Sequence, residues 1–184
     1  MPLPRKKTFM VFREAARLGA YDERPMLPAD VQTQVYLSRN DVPQPFFLVC
    51  EKDTVIAVFS GEGQVQLRAT SVRTFPLEPG DHVYVPAGVP TRLVPRTESV
   101  ILRYKAREAG LEGVAWYCDA CEEVELHRHV FDTEHTLAHE GYLAGCRSFN
   151  AEPARRRCSR CERVHPPVAL EGYRWEELAK AQRG

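Results

Sequence analysis

The sequence lacks a long apolar segment and an excess of charge of one sign. No run approaches the ~18 residues that a membrane-spanning helix needs, and no hydrophobic stretch of signal-peptide type follows the basic residues at the start. The 25 basic residues balance 25 acidic ones. These absences predict a cytoplasmic protein and argue against nucleic acid or an anionic membrane as a partner.

Histidine is missing from the first 81 residues, and all six histidines lie at or after His82. The strands predicted for the first 81 residues therefore offer no imidazole as a metal ligand. The chain has six cysteines. In a reducing compartment, cysteines are metal ligands or buried thiols more often than disulfides.

Four of the cysteines form two Cys-x-x-Cys knuckles, Cys118 with Cys121 and Cys158 with Cys161. Four thiolates saturate a tetrahedral ion such as zinc or iron. The gap of 36 residues, 122–157, is longer than the spacing of about 15–20 in compact zinc ribbons. We predict one structural metal per chain, zinc or iron. The alternative is a set of unrelated cysteines or a disulfide pair.

The hydrophobic pattern predicts one short helix followed by many short strands. Apolar residues recur at helical spacing over 7–18, and Gly19 is a plausible stop. Val65 and Leu67 alternate with glutamines, which is the period of a strand with one buried face. Strands are predicted over 31–37, 45–50, 54–59, 63–69, 82–85 and 99–104. This density of strands predicts a closed or double-sheet β architecture.

The segment around Gly80 carries a more specific motif. Gly80, Pro86 and Gly88 have the spacing G-x5-P-x-G, which resembles the second characteristic motif of cupins. The glycines suit tight turns, and Pro86 shapes the corner after the strand. In metal-binding cupins this motif delivers a histidine just after the corner, where this chain has Thr91.

Residues 110–121 and 156–166, which include both knuckles, resemble the C-terminal part of the bacterial 3-hydroxyanthranilate 3,4-dioxygenases. The resemblance covers roughly residues 9–166. It implies an all-β cupin jelly-roll barrel with a short N-terminal helix and a C-terminal rubredoxin-like appendage. The implied divisions are a lead-in over 1–30, the barrel over 31–115, the appendage over 116–167 and a tail over 168–184.

The resemblance also locates the iron site, and the ligands are missing there. Such enzymes open the ring of 3-hydroxyanthranilate on an Fe(II) ion held by two histidines and a glutamate. Those ligands align with Leu48, Thr91 and Thr54, none of which holds Fe(II) against water. The arginines that grip the substrate carboxylate align near Gln44 and Pro95, with Arg92 or Arg96 as a stand-in for the second. No catalytic iron is expected in the barrel.

Three functions stay open at this point. The first is a non-catalytic cupin that binds a small aromatic or amino-acid-like ligand or supports a catalytic partner protein. The second is an enzyme of altered, cupin-metal-independent chemistry on a similar substrate, and the third is the active dioxygenase. The residues expected near the cavity are Leu48, Cys50, Thr54, His82, Tyr84, Thr91 and Arg92. Cys50 is either an inert buried thiol or a nucleophile, and His82 either lines the cavity or faces solvent.

The remaining histidines and the early strand carry weaker expectations. His127, His129, His135 and His139 are surface residues or an accessory zinc site, with the last two at the i, i+4 spacing of a helical ligand pair. His165 is a candidate neighbour of the four-cysteine site or an alternative ligand in it. Apolar alternation over 31–37 predicts an exposed edge strand, which a homodimer would cover.

Overall fold

The computed structural model describes residues 11–26 and 32–183. Its helices are α1 (Val11–Ala15), α2 (Ala138–Ala151) and α3 (Trp175–Arg183), with a 3-10 helix at Pro153–Arg156. Its strands are β1 (Arg24–Pro25), β2 (Thr33–Asn40), β3 (Phe47–Cys50), β4 (Thr54–Ser60), β5 (Gly63–Leu67), β6 (Thr74–Leu77), β7 (His82–Val85), β8 (Thr91–Pro95), β9 (Ser99–Ala106), β10 (Leu111–Tyr117) and β11 (Glu125–Asp132). The mostly β architecture predicted from the sequence is confirmed.

The strands form two antiparallel sheets that face each other across the core. One sheet has the order β1-β2-β9-β4-β7, and the other has the order β11-β10-β3-β8-β5-β6. Neighbours that are distant in the chain, such as β2 with β9 and β3 with β10, are typical of a jelly roll. The protein is a cupin-like jelly-roll barrel, as its motif predicted. Gly80 and Gly88 have φ angles of 97° and 75°, which glycine adopts without steric cost.

Alternate residues of each strand point into the barrel, as the two-residue period of a strand requires. Leu48 of β3, Ile56 of β4 and Val65 of β5 lie in the central apolar cluster. The opposite face of the five-stranded sheet is also buried, because α1 packs against it. Residues from α1, the turn after it, β2, β4 and β9 form this second cluster, namely Ala15, Leu18, Val35, Leu37, Ala57, Val100 and Leu102.

The predicted edge over 31–37 is paired where the structure describes it. β1 pairs with β2 at Tyr36 and Leu37, and the Met26 N–H donates to the Val35 carbonyl at 2.8 Å. Val35 and Leu37 are buried under α1. The prediction of an unpaired edge here was wrong, because β1, only two residues long, gives no periodic signal in the sequence. Val31 lies outside the described residues.

Two later parts of the chain also contribute to the barrel core. One is the segment between the two knuckles, and the other is the C-terminal tail. β11 pairs with β10 along seven residues of β10, and α2 buries Tyr142, Cys146 and Phe149 in the central cluster. Trp175 of α3 is fully buried in the same cluster. No helix within residues 11–26 and 32–183 is long and apolar enough to span a membrane.

Candidate functional site

The four predicted metal ligands come together. The sulfur atoms of Cys118, Cys121, Cys158 and Cys161 all lie within 4.8 Å of one another. The Cys118 and Cys161 sulfurs are 3.6 Å apart, and those of Cys121 and Cys158 are 3.8 Å apart. Tetrahedral zinc with Zn–S bonds of about 2.3 Å places its sulfurs about 3.8 Å apart. The donor set therefore fits a tetrahedral thiolate-bound ion.

The two knuckles share one backbone geometry. The residue after the second cysteine, Glu122 in one knuckle and Glu162 in the other, has a left-handed φ of 51° or 59°. In each turn its N–H donates to the carbonyl of the first cysteine, at 2.7 Å for Cys118 and 2.9 Å for Cys158. This tight turn aims both sulfurs of each pair toward the other knuckle.

Backbone donors around Cys158 favour the thiolate form of its side chain. The Cys161 N–H lowers its pKa most and the Arg160 N–H lowers it further, to about 6, against the opposing effect of burial. A thiolate rather than a thiol ligates a metal, so this turn favours the binding form near neutral pH. His165 lies beside the site, with Nε2 3.7 Å from a carboxylate oxygen of Asp119.

The three positions aligned with iron ligands lie in the barrel wall. Leu48 and Thr91 are cross-strand partners on β3 and β8, and both are almost fully buried. The Thr91 hydroxyl donates to the Val89 carbonyl at 3.1 Å. Thr54 is buried on β4, where its hydroxyl accepts from Arg103 Nη1 at 3.4 Å. These groups are a methyl-bearing side chain and two hydroxyls already engaged with the protein, which do not fit Fe(II).

Within residues 11–26 and 32–183, three or more metal-ligating side chains meet at two places. One is the four-cysteine site. The other is an exposed group of Asp132, Glu134 and His135, and neither lies inside the barrel. The interior of the described barrel thus offers no three-residue metal site.

Three other residues expected near the cavity lie on the outer faces of their strands. His82 and Tyr84 point away from Val83 and Val85, and both are exposed, with 58% of Tyr84 accessible. Neither lines the interior. Arg92 also lies on the outer face of its strand, where its Nε donates to the Gln44 carbonyl at 2.8 Å.

Two cysteines outside the knuckles are buried. Burial, followed by the nearby Glu112 charge, raises the pKa of Cys50 to about 12. Burial raises the pKa of Cys146 to about 12 as well. Both side chains are protonated at neutral pH, which fits inert packed thiols and disfavours a nucleophile.

A cluster of four buried charges occupies one end of the barrel interior. Arg103 and Lys105 point inward from β9, Glu112 points inward from β10, and Glu23 enters from the segment before β1. Lys105 Nζ lies 2.9 Å and 3.1 Å from the two Glu112 oxygens. Glu23 lies 3.5 Å from Arg103 Nε and 3.9 Å from Lys105 Nζ. Two positive charges therefore balance two negative ones.

The electrostatics of the cluster favour the charged forms of Glu23 and Lys105. Burial raises the pKa of Glu23, but Lys105 and Arg103 outweigh burial and hold it below its ordinary value. Burial lowers the pKa of Lys105, and here Glu112 and Glu23 reverse the direction and raise it. The Tyr142 hydroxyl donates to Glu23, and burial followed by the Glu23 charge raises the pKa of Tyr142 well above its ordinary value.

The segment that carries Glu23 closes the barrel on that side. Tyr21 and Glu23 both have left-handed φ angles, 53° and 40°, although neither is glycine. The Trp175 indole N–H donates to the Tyr21 carbonyl at 3.2 Å, and His139 Nε2 donates to the Asp22 carbonyl. Tyr21 to Glu23 are nearly inaccessible to solvent. We refer to Tyr21, Asp22 and Glu23 as the plug.

His135 and His139 do not form the helical ligand pair that their spacing suggested. His135 precedes α2 and its side chain is 72% exposed, whereas His139 lies in α2 and is buried against the plug. His127 Nε2 lies 3.0 Å from the Ser148 hydroxyl, and its ring stacks on Trp116. The surface interpretation holds for His135 and not for His139.

The buried charges of the cluster were not predicted from the sequence. Along β9, Ile101, Arg103 and Lys105 alternate with Val100, Leu102 and Tyr104. The apolar set looks like the core face by period alone. It is the outer face under α1, so the charged set is the one that points inward. The inward position of Glu112 opposite Cys50 likewise follows from the pairing of β10 with β3.

Comparisons with known proteins give similar folds at low coverage. No family model and no curated protein matches the chain. A salicylate 1,2-dioxygenase from Pseudaminobacter salicylatoxidans is 27% identical over 40% of this chain and 20% of its own, with a TM-score of 0.36. A hydroquinone 1,2-dioxygenase is 19% identical over 52% of this chain and 69% of its own, with a TM-score of 0.45.

A third solved structure is a cupin-2 domain protein from Shewanella frigidimarina. It is 19% identical over 53% of this chain and 93% of its own, with a TM-score of 0.42. The chain spans about a fifth of the length of the salicylate dioxygenase that it matches.

Proposed function

We propose that this protein is a cupin that has lost ring-opening chemistry, holds one structural metal in its four-cysteine site and binds a small molecule within its barrel. The observation that carries the proposal is the side-chain content of the barrel. Leu48, Thr54 and Thr91 stand where the resembled dioxygenases place iron ligands, while charged groups still point inward beside them.

The buried charges support ligand binding over a purely apolar core. A core built only for stability gains little from ionic pairs, because desolvation of the charges offsets their attraction. Arg103 and Lys105 nevertheless point inward, and Arg103 Nη2 has no hydrogen-bond partner among the described residues. A buried donor without a partner is costly, and a ligand bound beside Arg103 would supply the acceptor.

The structural metal is tested by metal analysis of the purified protein. We expect one zinc or iron ion per chain, and we expect Cys118→Ser to lose it. Because α2 and β11 lie between the knuckles and share the barrel core, loss of the metal also destabilises the region that holds the plug. Cys146→Ser, which alters a buried cysteine outside the knuckles, is the matched control and should retain the metal. A full metal equivalent in Cys118→Ser contradicts the site.

The absence of ring opening is tested by oxygen consumption with 3-hydroxyanthranilate and added Fe(II). We expect none above the rate without protein, because the barrel supplies no three-residue iron site. The same protein is then screened with aromatic acids and amino acids by thermal unfolding, since a ligand that binds the folded state raises the melting temperature. Turnover that follows the added iron contradicts the proposal, as does a screen in which no compound stabilises the protein.

We also propose a homodimer, and β7 supports it better than the region over 31–37. β7 is the last strand of its sheet, so its outer backbone groups are available for pairing. Its Tyr84 side chain is exposed. Sedimentation at micromolar concentration should give about twice the 20.9 kDa chain mass, and Tyr84→Lys should shift the protein toward the monomer. A wild-type monomer contradicts this proposal.

A further inference from the structure

Glu23 of the plug reaches the barrel interior in a different way from the other three charges of the cluster. Arg103, Lys105 and Glu112 project from the central strands β9 and β10, whose backbones are paired on both sides. Glu23 alone comes from outside the barrel wall, on the short segment before β1. The two positive charges are therefore fixed by the sheet, whereas their partner Glu23 is fixed only by the contacts of the plug.

Those contacts come mostly from elements that are distant in the chain. The Tyr21 hydroxyl donates to the Leu93 carbonyl at 3.2 Å, and the Gly19 N–H donates to the Asp22 carboxylate at 2.8 Å. Two side-chain donors, Trp175 Nε1 and His139 Nε2, hold the carbonyls of Tyr21 and Asp22. The Tyr21 N–H donates to the Arg39 carbonyl at 3.2 Å. The left-handed φ angles at Tyr21 and Glu23 are disfavoured for residues with a Cβ. Such strain persists only where surrounding contacts enforce it and is frequent at ligand clamps and switches.

Arg103 of the positive pair also has a hydrogen-bond donor without a partner among the described residues. Arg103 is 3% exposed, and its Nη1 donates to Thr54 at 3.4 Å while Nη2 has no partner among the described residues. Glu23 approaches Arg103 at Nε, at 3.5 Å. A guanidinium binds a carboxylate best through two parallel N–H donors, so Glu23 leaves part of the Arg103 donor set unused.

We propose that Arg103 and Lys105 form a binding site for a small organic carboxylate, and that Glu23 is the internal occupant that such a ligand displaces. The inference rests on the proposed small-molecule function and names its ligand class. The ligand carboxylate takes the place of the Glu23 carboxylate between Arg103, Lys105 and the Tyr142 hydroxyl. Its binding releases the plug, because the ligand then neutralises the positive charges of Arg103 and Lys105 that hold Glu23 inside.

The test uses propionate, which has the size of the Glu23 side chain, and propionamide as its neutral control. In Glu23→Ala the site is vacated, so we expect propionate to bind at least about tenfold more tightly than in wild type and to raise the melting temperature. Propionamide should do neither. Adding Arg103→Gln to Glu23→Ala should abolish the response to propionate. Should Glu23→Ala fail to fold, Glu23→Gln keeps the size of the side chain and removes its charge, and the same order of affinities applies.

In wild type, propionate should speed hydrogen exchange of the Tyr21 amide, because displacement of Glu23 frees the plug. A response to propionate in Glu23→Ala with no change at Tyr21 in wild type identifies the cluster as a structural ion network and overturns the inference. Equal responses to propionate and propionamide overturn it too. Failure of the proposed function is distinct, since it is read from iron-dependent turnover or from a screen without any stabilising compound.

Discussion

The two ends of the barrel interior are built from the same strands and have opposite chemistry. At one end, Val58 of β4 and Ile101 of β9 meet Leu77 and Leu93 in an apolar cluster. At the other end, the same two strands supply Thr54 and Arg103, and the space is filled by ionic pairs. The apolar and charged residues are thus only four positions apart on β4 and two positions apart on β9.

The two ends of the barrel differ in what their side chains contribute. Apolar packing contributes to stability without directional requirements. Buried charges cost desolvation energy that their mutual attraction barely offsets, so retaining them is poorly explained by stability. The apolar end is the part that holds the sheets together, and the charged end is the part suited to recognising a ligand.

The largest effect is expected when one charge is removed from the charged end. Lys105→Met leaves Glu112 buried beside no cation, which should lower the free energy of unfolding by about 3–5 kcal/mol. Urea unfolding gives the value. Adding Glu112→Gln removes the stranded charge and should recover a large part of the loss, since Glu23 and Arg103 remain paired. A double variant that is no more stable than Lys105→Met contradicts the ionic account.

Removal of one hydrogen bond at the same end should have a smaller effect. Tyr142→Phe deletes the hydroxyl that donates to the Glu23 carboxylate, and bonds to charged groups contribute about 1.5–3 kcal/mol. Tyr173→Phe, which alters another tyrosine next to Trp175, is the control and should cost less. Both losses are measured by chemical unfolding. Equal losses in the two variants would contradict a stabilising hydrogen bond from the Tyr142 hydroxyl to Glu23.

A conservative change at the apolar end should cost less still. Ile101 is 3% exposed in the central cluster, and Ile101→Val removes one methylene group, for an expected loss of about 0.5–1.5 kcal/mol. The same variant should leave any response to propionate unchanged, because the charged end is intact. A loss of ligand response in a folded Ile101→Val protein would show that the two ends are coupled.

Acid should weaken the charged end and spare the apolar one. The folded-state pKa of Glu23 lies below its ordinary value, so its contribution is present above about pH 4.3 and is lost as the pH falls through the folded pKa. Wild type should therefore lose stability more steeply than Glu23→Gln between about pH 5 and pH 3. Both proteins carry the same thiolate site, so protonation of its cysteines cancels in the difference. Parallel pH profiles would contradict the ionic role of Glu23.

Much of this protein was predictable from local sequence patterns. The knuckle spacing predicted the four ligands Cys118, Cys121, Cys158 and Cys161, because a Cys-x-x-Cys turn builds its geometry within a few residues. Gly80, Pro86 and Gly88 predicted the corner after β7 for the same reason, as each acts on its own backbone. The strand His82–Val85 followed from two-residue alternation. The outward direction of His82 did not, because alternation alone does not say which face of a strand is inside.

The charged end was decided by the tertiary structure. Alternation along β9 separates Arg103 and Lys105 from Leu102 and Tyr104, but it does not say which set points inward. The answer depends on α1, which covers the apolar set from outside, and on α2 and α3, which hold Glu23 against the positive pair. These elements lie far apart in the chain. Only their packing together makes both faces of one strand buried, and that is what places two cations inside a barrel.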